Sequence, residues 1–186
     1  DATRHTFLAT VPADVVEQIN EVIELTRNQF DAKNVAIITE IGDDIPEVPL
    51  DVSGIHQAVL NLLNNALEAV EPEKGVVSVG CEYDMLEEEV RIRIGDNGHG
   101  IDEETKSKLF EPFHSTKGMR GTGLGLVVTK KVAEEHGGRI QVDSRPEEGT
   151  VFTMVLPAKM GMAPQSEDTM HGHIGPELDE LAFEYE

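Results

Sequence analysis

A single cysteine in 186 residues leaves this chain without a disulfide framework. That residue, Cys81, lies in the strand-like stretch VVSVGCEY, which reads as a small buried hydrophobe in a reducing compartment rather than a nucleophile. No run of about 18 apolar residues occurs and no basic-then-apolar leader opens the chain, so neither a membrane span nor a secretory signal is read from it. Basic residues are scarce: 15 Lys and Arg stand against 36 Asp and Glu, a formal charge of -21. Long-range repulsion therefore works against nucleic acid and anionic membrane surfaces as partners. A polyanionic nucleotide remains admissible if its site supplies local cations, a metal or main-chain N–H groups. The expectation is a soluble, cytoplasmic and monomeric chain. Asp1 is not an initiator residue, so the chain reads as a piece of a parent whose membrane anchorage the residues leave open.

What is present suits one well-buried domain with appendages: 39% of residues are hydrophobic. Residues 1–9 read as a lead-in and 10–158 as the domain. Residues 159–186 form an acidic tail, expected to be disordered. His171 and His173 in that tail have no acid or Cys arranged around them as metal ligands.

Along the domain, apolar periodicity predicts a helix over residues 12–30 with Pro12 near its first turn. A strand follows at 35–41, then a loop with two prolines at 42–49 and a helix over 51–71. Residues 76–83 and 90–96 read as an antiparallel pair. Asp102 is placed as N-cap of a short helix through Leu109. Residues 111–123 read as a mobile loop of the kind that closes on ligands. The stretch 124–136 reads as a helix ended by Gly137 and Gly138, and 139–144 with 150–156 as a second hairpin. Paired strands mixed with helices point to an α+β fold, helices on one face of a mixed sheet.

Three features carry chemistry. The stretch NLLNNALEA puts three asparagines, weak helix formers, on an amphipathic helix. Asn61, Asn65 and Glu68 lie at i, i+4 and i+7 and so share a stripe. An amide oxygen there suits Mg²⁺, which takes few protein ligands and keeps waters and phosphates. Satisfying buried backbone is the alternative use. Second, Asp96-Asn97-Gly98-His99-Gly100 follows a strand. Its carboxylate, flanked by glycines, could accept from an exocyclic amine such as that of adenine, or the stretch could be an ordinary Asn-Gly turn. Third, Gly121-Thr122-Gly123-Leu124-Gly125-Leu126 opens a helix, where free N–H groups and the dipole make an anion site without net positive charge. It lacks the spacing of a dinucleotide fingerprint or a P-loop. Ser115, Thr116, Lys117 and Arg120 precede it on the loop.

NLLNNALEA, DNGHG, LFEPFHSTKG, GTGLGL and EEGTVF, in this order, closely resemble the N, G1, F, G2 and G3 boxes of the ATP-binding catalytic domain of bacterial sensor histidine kinases. That family sits in the gyrase, heat-shock chaperone, histidine kinase and MutL superfamily. The resemblance implies the Bergerat fold, a two-layer α/β sandwich with ATP held under a flexible lid. By that likeness Asn65 would coordinate Mg²⁺, with Asn61 beside the phosphates or the metal waters. Asp96 would accept from the adenine amine, and Gly98, Gly100 and Ile101 would pack along the base. Phe110 and Phe113 would anchor the lid, and Ser115, Thr116 and Lys117 would approach the phosphates. Gly121, Thr122, Gly123, Leu124, Gly125 and Leu126 would supply N–H groups, and Thr150 would support Asp96. Glu68 departs from the pattern, since many members carry a basic residue there. No phosphoacceptor His-acid pair occurs, so the chain is expected to begin just after a dimerisation domain.

In the superfamily's ATPases a Glu stands where this sequence has Asn61 and serves as base for water. An amide takes no proton, so hydrolysis should be slow. A histidine acceptor, with a reference pKa of about 6.5, attacks as neutral imidazole without a base. Transfer then depends on alignment and on charge stabilisation by Mg²⁺ and Lys117. The resemblance thus implies autophosphorylation of a histidine on a phosphoacceptor domain, followed by relay to a response regulator. A serine kinase of the anti-sigma type and a nucleotide-sensing interaction module are the alternatives.

Overall fold

A computed structural model describes residues 9–112 and 124–159. The first helix, α1 (Val15–Lys33), does not begin at Pro12. The Asp14 carboxylate caps it, accepting from the N–H groups of Val16 at 2.8 Å and Glu17 at 3.2 Å. Pro12 instead lies in a three-residue strand, β1 (Val11–Ala13), paired antiparallel with β3 (Val48–Leu50). The expected loop at 42–49 therefore contains a strand. Pro12 stands opposite Pro49. Alternate pairs of an antiparallel ladder need no hydrogen bond, and a proline pair fits only there, leaving Val11↔Leu50 and Ala13↔Val48 to hold the ladder.

β2 (Ala36–Ile41) leads into this loop, and α2 (Val52–Ala69) carries the asparagine stretch. β4 (Val76–Asp84) and β5 (Glu89–Asp96) form the expected antiparallel pair. α3 (Glu103–Lys108) starts at its expected cap, with Asp102 accepting from the N–H of Thr105 at 2.7 Å. After the segment 113–123 come α4 (Gly125–Glu135), β6 (Arg139–Arg145) and β7 (Gly149–Pro157). Gly137, at φ +74°, takes the left-handed turn that ends α4.

The main sheet runs β2-β4-β5-β7-β6, with β2 parallel to β4 and every other pair antiparallel. Alternation decides its two faces. Val77, Val79 and Cys81, then Val90, Ile92 and Ile94, then Phe152, Met154 and Leu156 are buried in the core with Ile19, Phe30, Val59, Leu62 and Leu63 of α1 and α2. The intervening residues make ion pairs on the opposite face, Arg91 to Asp84 at 2.9 Å and Arg93 to Glu82. Helices α1, α2 and α4 thus back one side of a mixed sheet, as the α+β reading expected. Cys81 is buried, and that burial pushes its thiol up to about 12. No described helix is long and apolar enough to cross a membrane.

Candidate active site

Asp96 ends β5. Thr150 stands opposite it on β7, and Ser144 opposite Thr150 on β6, so the three form one row on the helix-backed face. Asp96 is half-buried, and its Oδ1 accepts from the Gly98 N–H at 2.8 Å. Burial raises its carboxyl above the ordinary range, while the N–H groups of Gly98 and Thr150 pull it back in part. Thr150 is buried, with its hydroxyl 2.9 Å from that of Ser144. Ser144, also buried, donates to the Gly149 carbonyl at 2.9 Å and accepts from the Ile101 N–H at 2.9 Å. Sequence reasoning did not single out Ser144. The signal was there: it follows Ile140 and Val142 at period two on the inward face.

The loop after Asp96 is held by its own chain. Asn97 accepts from the Val76 N–H at 2.7 Å and donates to the Lys74 carbonyl at 3.2 Å. A Cβ on Gly98 would lie 2.3 Å from the carbonyl oxygen of Ala69, the last residue of α2. Gly100, at φ +67°, would place one 1.8 Å from the Arg145 carbonyl. The bare backbone read as a bed for a flat ligand is, on those sides, a close approach to α2 and to the β6–β7 turn. His99 is a turn residue here, its N–H reaching the Ala69 carbonyl at 3.3 Å. Ile101 is half-buried against the core.

On α2, Asn61 and Asn65 are half-buried and Glu68 is exposed. The Asn61 amide nitrogen donates to the Gly125 carbonyl at 3.0 Å, and its oxygen accepts from Gln57 at 2.9 Å. Thr129 of α4, fully buried and absent from the sequence reading, donates to the same carbonyl at 2.9 Å. Asn61 therefore faces the start of α4, where Leu124 gives no side-chain cap and Leu126 packs on the core. From Asn61 to the Ala69 carbonyl under Gly98 is eight residues of helix, about 12 Å at 1.5 Å per residue. This side of α2 thus runs from the α4 N-terminus at one end to the loop after Asp96 at the other. Phe110 is half-buried, with Lys130 of α4 5.7 Å from its ring centre.

Phe113, Ser115, Thr116, Lys117, Gly121, Thr122 and Gly123 lie outside the described residues, as do the lead-in through residue 8 and the tail from residue 160. Among the described residues, no group of three or more His, Cys, Asp or Glu side chains is placed to hold a metal ion.

The family model described as histidine kinase-, DNA gyrase B- and HSP90-like ATPase matches residues 50–160. The chain belongs to this family. Sporulation kinase E of Bacillus subtilis (strain 168) is 36% identical over 154 residues, 83% of this chain and 20% of that kinase. The chain therefore spans about a fifth of that relative's length. The nucleotide-free catalytic domain of histidine kinase ThkA superposes with a TM-score of 0.72 at 34% identity, covering 80% of this chain and 95% of that one. ThkA in complex with response regulator TrrA aligns with a TM-score of 0.69 at 30% identity, over 81% of this chain and 42% of that one. The likeness to sensor histidine kinase catalytic domains carried by the five boxes is borne out, as is the mixed-sheet fold it implies.

Proposed function

We propose that this chain binds ATP with Mg²⁺ along the α2 stripe and passes the γ-phosphoryl group to a histidine on a phosphoacceptor domain of its parent protein. A response regulator would then take the phosphoryl group, as the relatives' kinship with two-component kinases suggests. One observation carries the reading: α2 runs about 12 Å from an uncapped helix N-terminus at Gly125 to a half-buried carboxylate loop at Gly98, matching a ligand with anionic and amine-bearing ends.

Asp96, ionised, accepts from the adenine amine. Ile101 packs along the base. Leu124, Gly125 and Leu126, with Gly121, Thr122 and Gly123 before them, offer N–H groups to the phosphates without adding positive charge, which a chain of formal charge -21 requires. Asn65 supplies a neutral amide oxygen, a hard donor that fits Mg²⁺ without a carboxylate cage. Bound there, the ion would neutralise phosphate charge. Phe110 and Phe113 anchor the lid, and Ser115, Thr116 and Lys117 meet the terminal phosphates. Asn61 aligns and does not deprotonate. The neutral imidazole nitrogen forms a bond to the γ-phosphorus as the bond to the bridging oxygen breaks, and ADP leaves with the electron pair.

Titrating ATP into the chain with and without Mg²⁺, alongside Asp96→Ala, tests the binding half. Affinity should need the metal and fall sharply in the variant; unchanged binding would remove Asp96 from the site. Mixing the chain with ATP and a separately produced histidine hairpin of the parent tests the transfer. Acid-labile phosphate on the hairpin supports it. Acid-stable phosphate on a regulator would favour a serine kinase, and binding without transfer a nucleotide-sensing module.

A further inference from the structure

We propose that Asn97-Gly98 is a self-modification site: when the loop after Asp96 opens, the Gly98 main-chain nitrogen displaces the Asn97 amide as ammonia, and the aspartate or isoaspartate that water then leaves no longer holds that loop in place. This chemistry goes beyond the reading of Asp96 as the adenine acceptor; only its effect on ATP affinity rests on that reading.

The fold demands both members of the pair. Asn97 Oδ1 accepts from the Val76 N–H at 2.7 Å, and Nδ2 donates to the Lys74 carbonyl at 3.2 Å, while the Asn97 N–H reaches the Val76 carbonyl at 3.2 Å. One acceptor and one donor at the tip of so short a side chain is asparagine; aspartate, of the same size, has no proton to give Lys74. Glycine must follow, because a Cβ at Gly98 would lie 2.3 Å from the Ala69 carbonyl oxygen. A residue without Cβ is also the follower that least obstructs attack of its own nitrogen on the asparagine side chain. Of the seven asparagines in the chain, only Asn97 precedes glycine. Asn97 is exposed, so water reaches the site.

In the closed loop both reacting groups are held. The Asn97 amide is fixed between its two main-chain partners, and the Gly98 N–H is turned to Asp96 Oδ1 at 2.8 Å. An ionised carboxylate there opposes loss of the proton that must leave before the nitrogen attacks. Local opening frees both groups. The Gly98 nitrogen then bonds to Asn97 Cγ as its proton passes to solvent; the Cγ–Nδ2 bond breaks, and ammonia leaves with that electron pair and a proton from water. Water opens the five-membered imide, and the ring nitrogen regains a proton. Addition at Cγ gives aspartate, and addition at the main-chain carbonyl carbon gives isoaspartate; each breaks one C–N bond, and nothing is oxidised or reduced. Aspartate sets a carboxylate oxygen against the Lys74 carbonyl, two acceptors with no proton between them. Isoaspartate lengthens the main chain by one methylene before Gly98, which draws its N–H from Asp96 and the glycine from Ala69.

The test ages the full 186-residue chain in alkaline buffer, native and in urea, and follows position 97 by peptide mapping and mass spectrometry, separating aspartate from isoaspartate by chromatography. In urea Asn97 should convert before the other six asparagines. In the native chain it should convert about tenfold more slowly or slower still, the factor that one ordinary hydrogen bond supplies. The Gly98 N–H should be protected from hydrogen exchange by a like factor, since an opening that admits exchange also admits ring closure. Another asparagine converting first in urea, native conversion as fast as in urea, or an unprotected Gly98 N–H would each overturn the inference. The modified species, separated by ion exchange from the same aged sample, should bind ATP about tenfold more weakly than the unmodified fraction. Equal affinity of the two would show that the loop keeps its place and would overturn the consequence claimed for it. If the unmodified fraction binds no ATP, the adenine reading fails, while the conversion rates still decide the chemistry at Asn97.

Discussion

The side-chain amide of Asn61 on α2 donates to the main-chain carbonyl of Gly125, the first residue of α4, across 3.0 Å. A Cβ on Gly125 would meet Asn61 Cγ at an ordinary 3.6 Å, so the bond itself does not demand glycine there. An amide proposed to stand beside phosphates is thus spent on the helix that follows residues 113–123.

Asn61→Ala should therefore do two things. It should cost about 1 kcal/mol of stability in urea unfolding, the usual worth of a half-exposed hydrogen bond whose acceptor keeps a second donor in Thr129. It should also lower phosphoryl transfer more than nucleotide affinity, because the proposed role of Asn61 is to align the phosphate end. A variant that loses stability and keeps full transfer would leave Asn61 a purely structural bridge.

The glycines after Asp96 should be far less replaceable than a glycine in the open sheet. Gly100→Ala forces a Cβ to within 1.8 Å of the Arg145 carbonyl at φ +67°. Left-handed strain of about 1–2 kcal/mol and a backbone clash together should cost about 3 kcal/mol or more. Gly80→Ala meets its nearest atom, the Glu40 carbonyl oxygen, at an ordinary 3.5 Å and should change stability by less than about 1 kcal/mol. Urea midpoints of the two variants, measured side by side, decide it.

These glycines also show where sequence reasoning stops. Period and capping chemistry are local, and they located α2, α4, the β4–β5 pair and the Asp102 cap, whereas the nearness of Thr150 to Asp96 came only from the family resemblance. The reason for Gly98 and Gly100 is not local. It lies in the carbonyls of Ala69 and Arg145, 29 and 45 residues away in the chain. The pairing of Pro12 with Pro49 was illegible for a related cause: three residues are too few to show a period of two, and the partner lies beyond a helix, a strand and a loop. Ser144 and Thr129 were hidden differently, as small hydroxyls whose importance comes from which neighbours fold leaves within reach.

Acid should weaken nucleotide binding earlier than an exposed aspartate would allow. Burial holds the Asp96 carboxyl above its ordinary 3.8, and only the ionised form accepts from an amine at both oxygens. As pH falls from 7, protonation of Asp96 in the free chain therefore sets in above that value and affinity drops with it. The stability consequence has the opposite sign. With the folded value raised, the buried charge is a penalty at neutral pH that is relieved as pH falls through the folded value. Carboxyl-carbon NMR of Asp96, followed through an acid titration beside ATP affinity, should show the two transitions coincide. Affinity that holds steady while Asp96 titrates would break the link.

Cys81 should report unfolding and nothing else. Thiolate is the reactive form, and burial raises this thiol to about 12. At pH 8 iodoacetamide should modify the native chain at least about a hundredfold more slowly than the urea-unfolded one, by the difference in thiolate fraction alone. Fast native alkylation would mean that the sheet opens readily around β4.

The far end of α4 gives the counterpart to Asn61. His136, its C-cap, sends Nδ1 to the Val132 carbonyl at 2.7 Å and receives the Asp51 N–H on Nε2 at 2.9 Å. A carbonyl only accepts, so Nδ1 donates while Nε2 accepts. One imidazole thus ties the end of α4 to the N-cap residue of α2, while Asn61 ties the start of α4 to the middle of α2. The two bridges restrain the same helix pair at opposite ends, and only the Asn61 bridge lies at the proposed phosphate end. His136→Leu should cost about 1–2 kcal/mol in urea unfolding, because it leaves the half-buried Asp51 N–H unmatched. It should leave ATP affinity within about twofold, since Asn61 still fixes the phosphate end. If His136→Leu weakened ATP binding as much as Asn61→Ala does, α4 would be moving as one rigid rod, and the phosphate end would owe its position to both anchors.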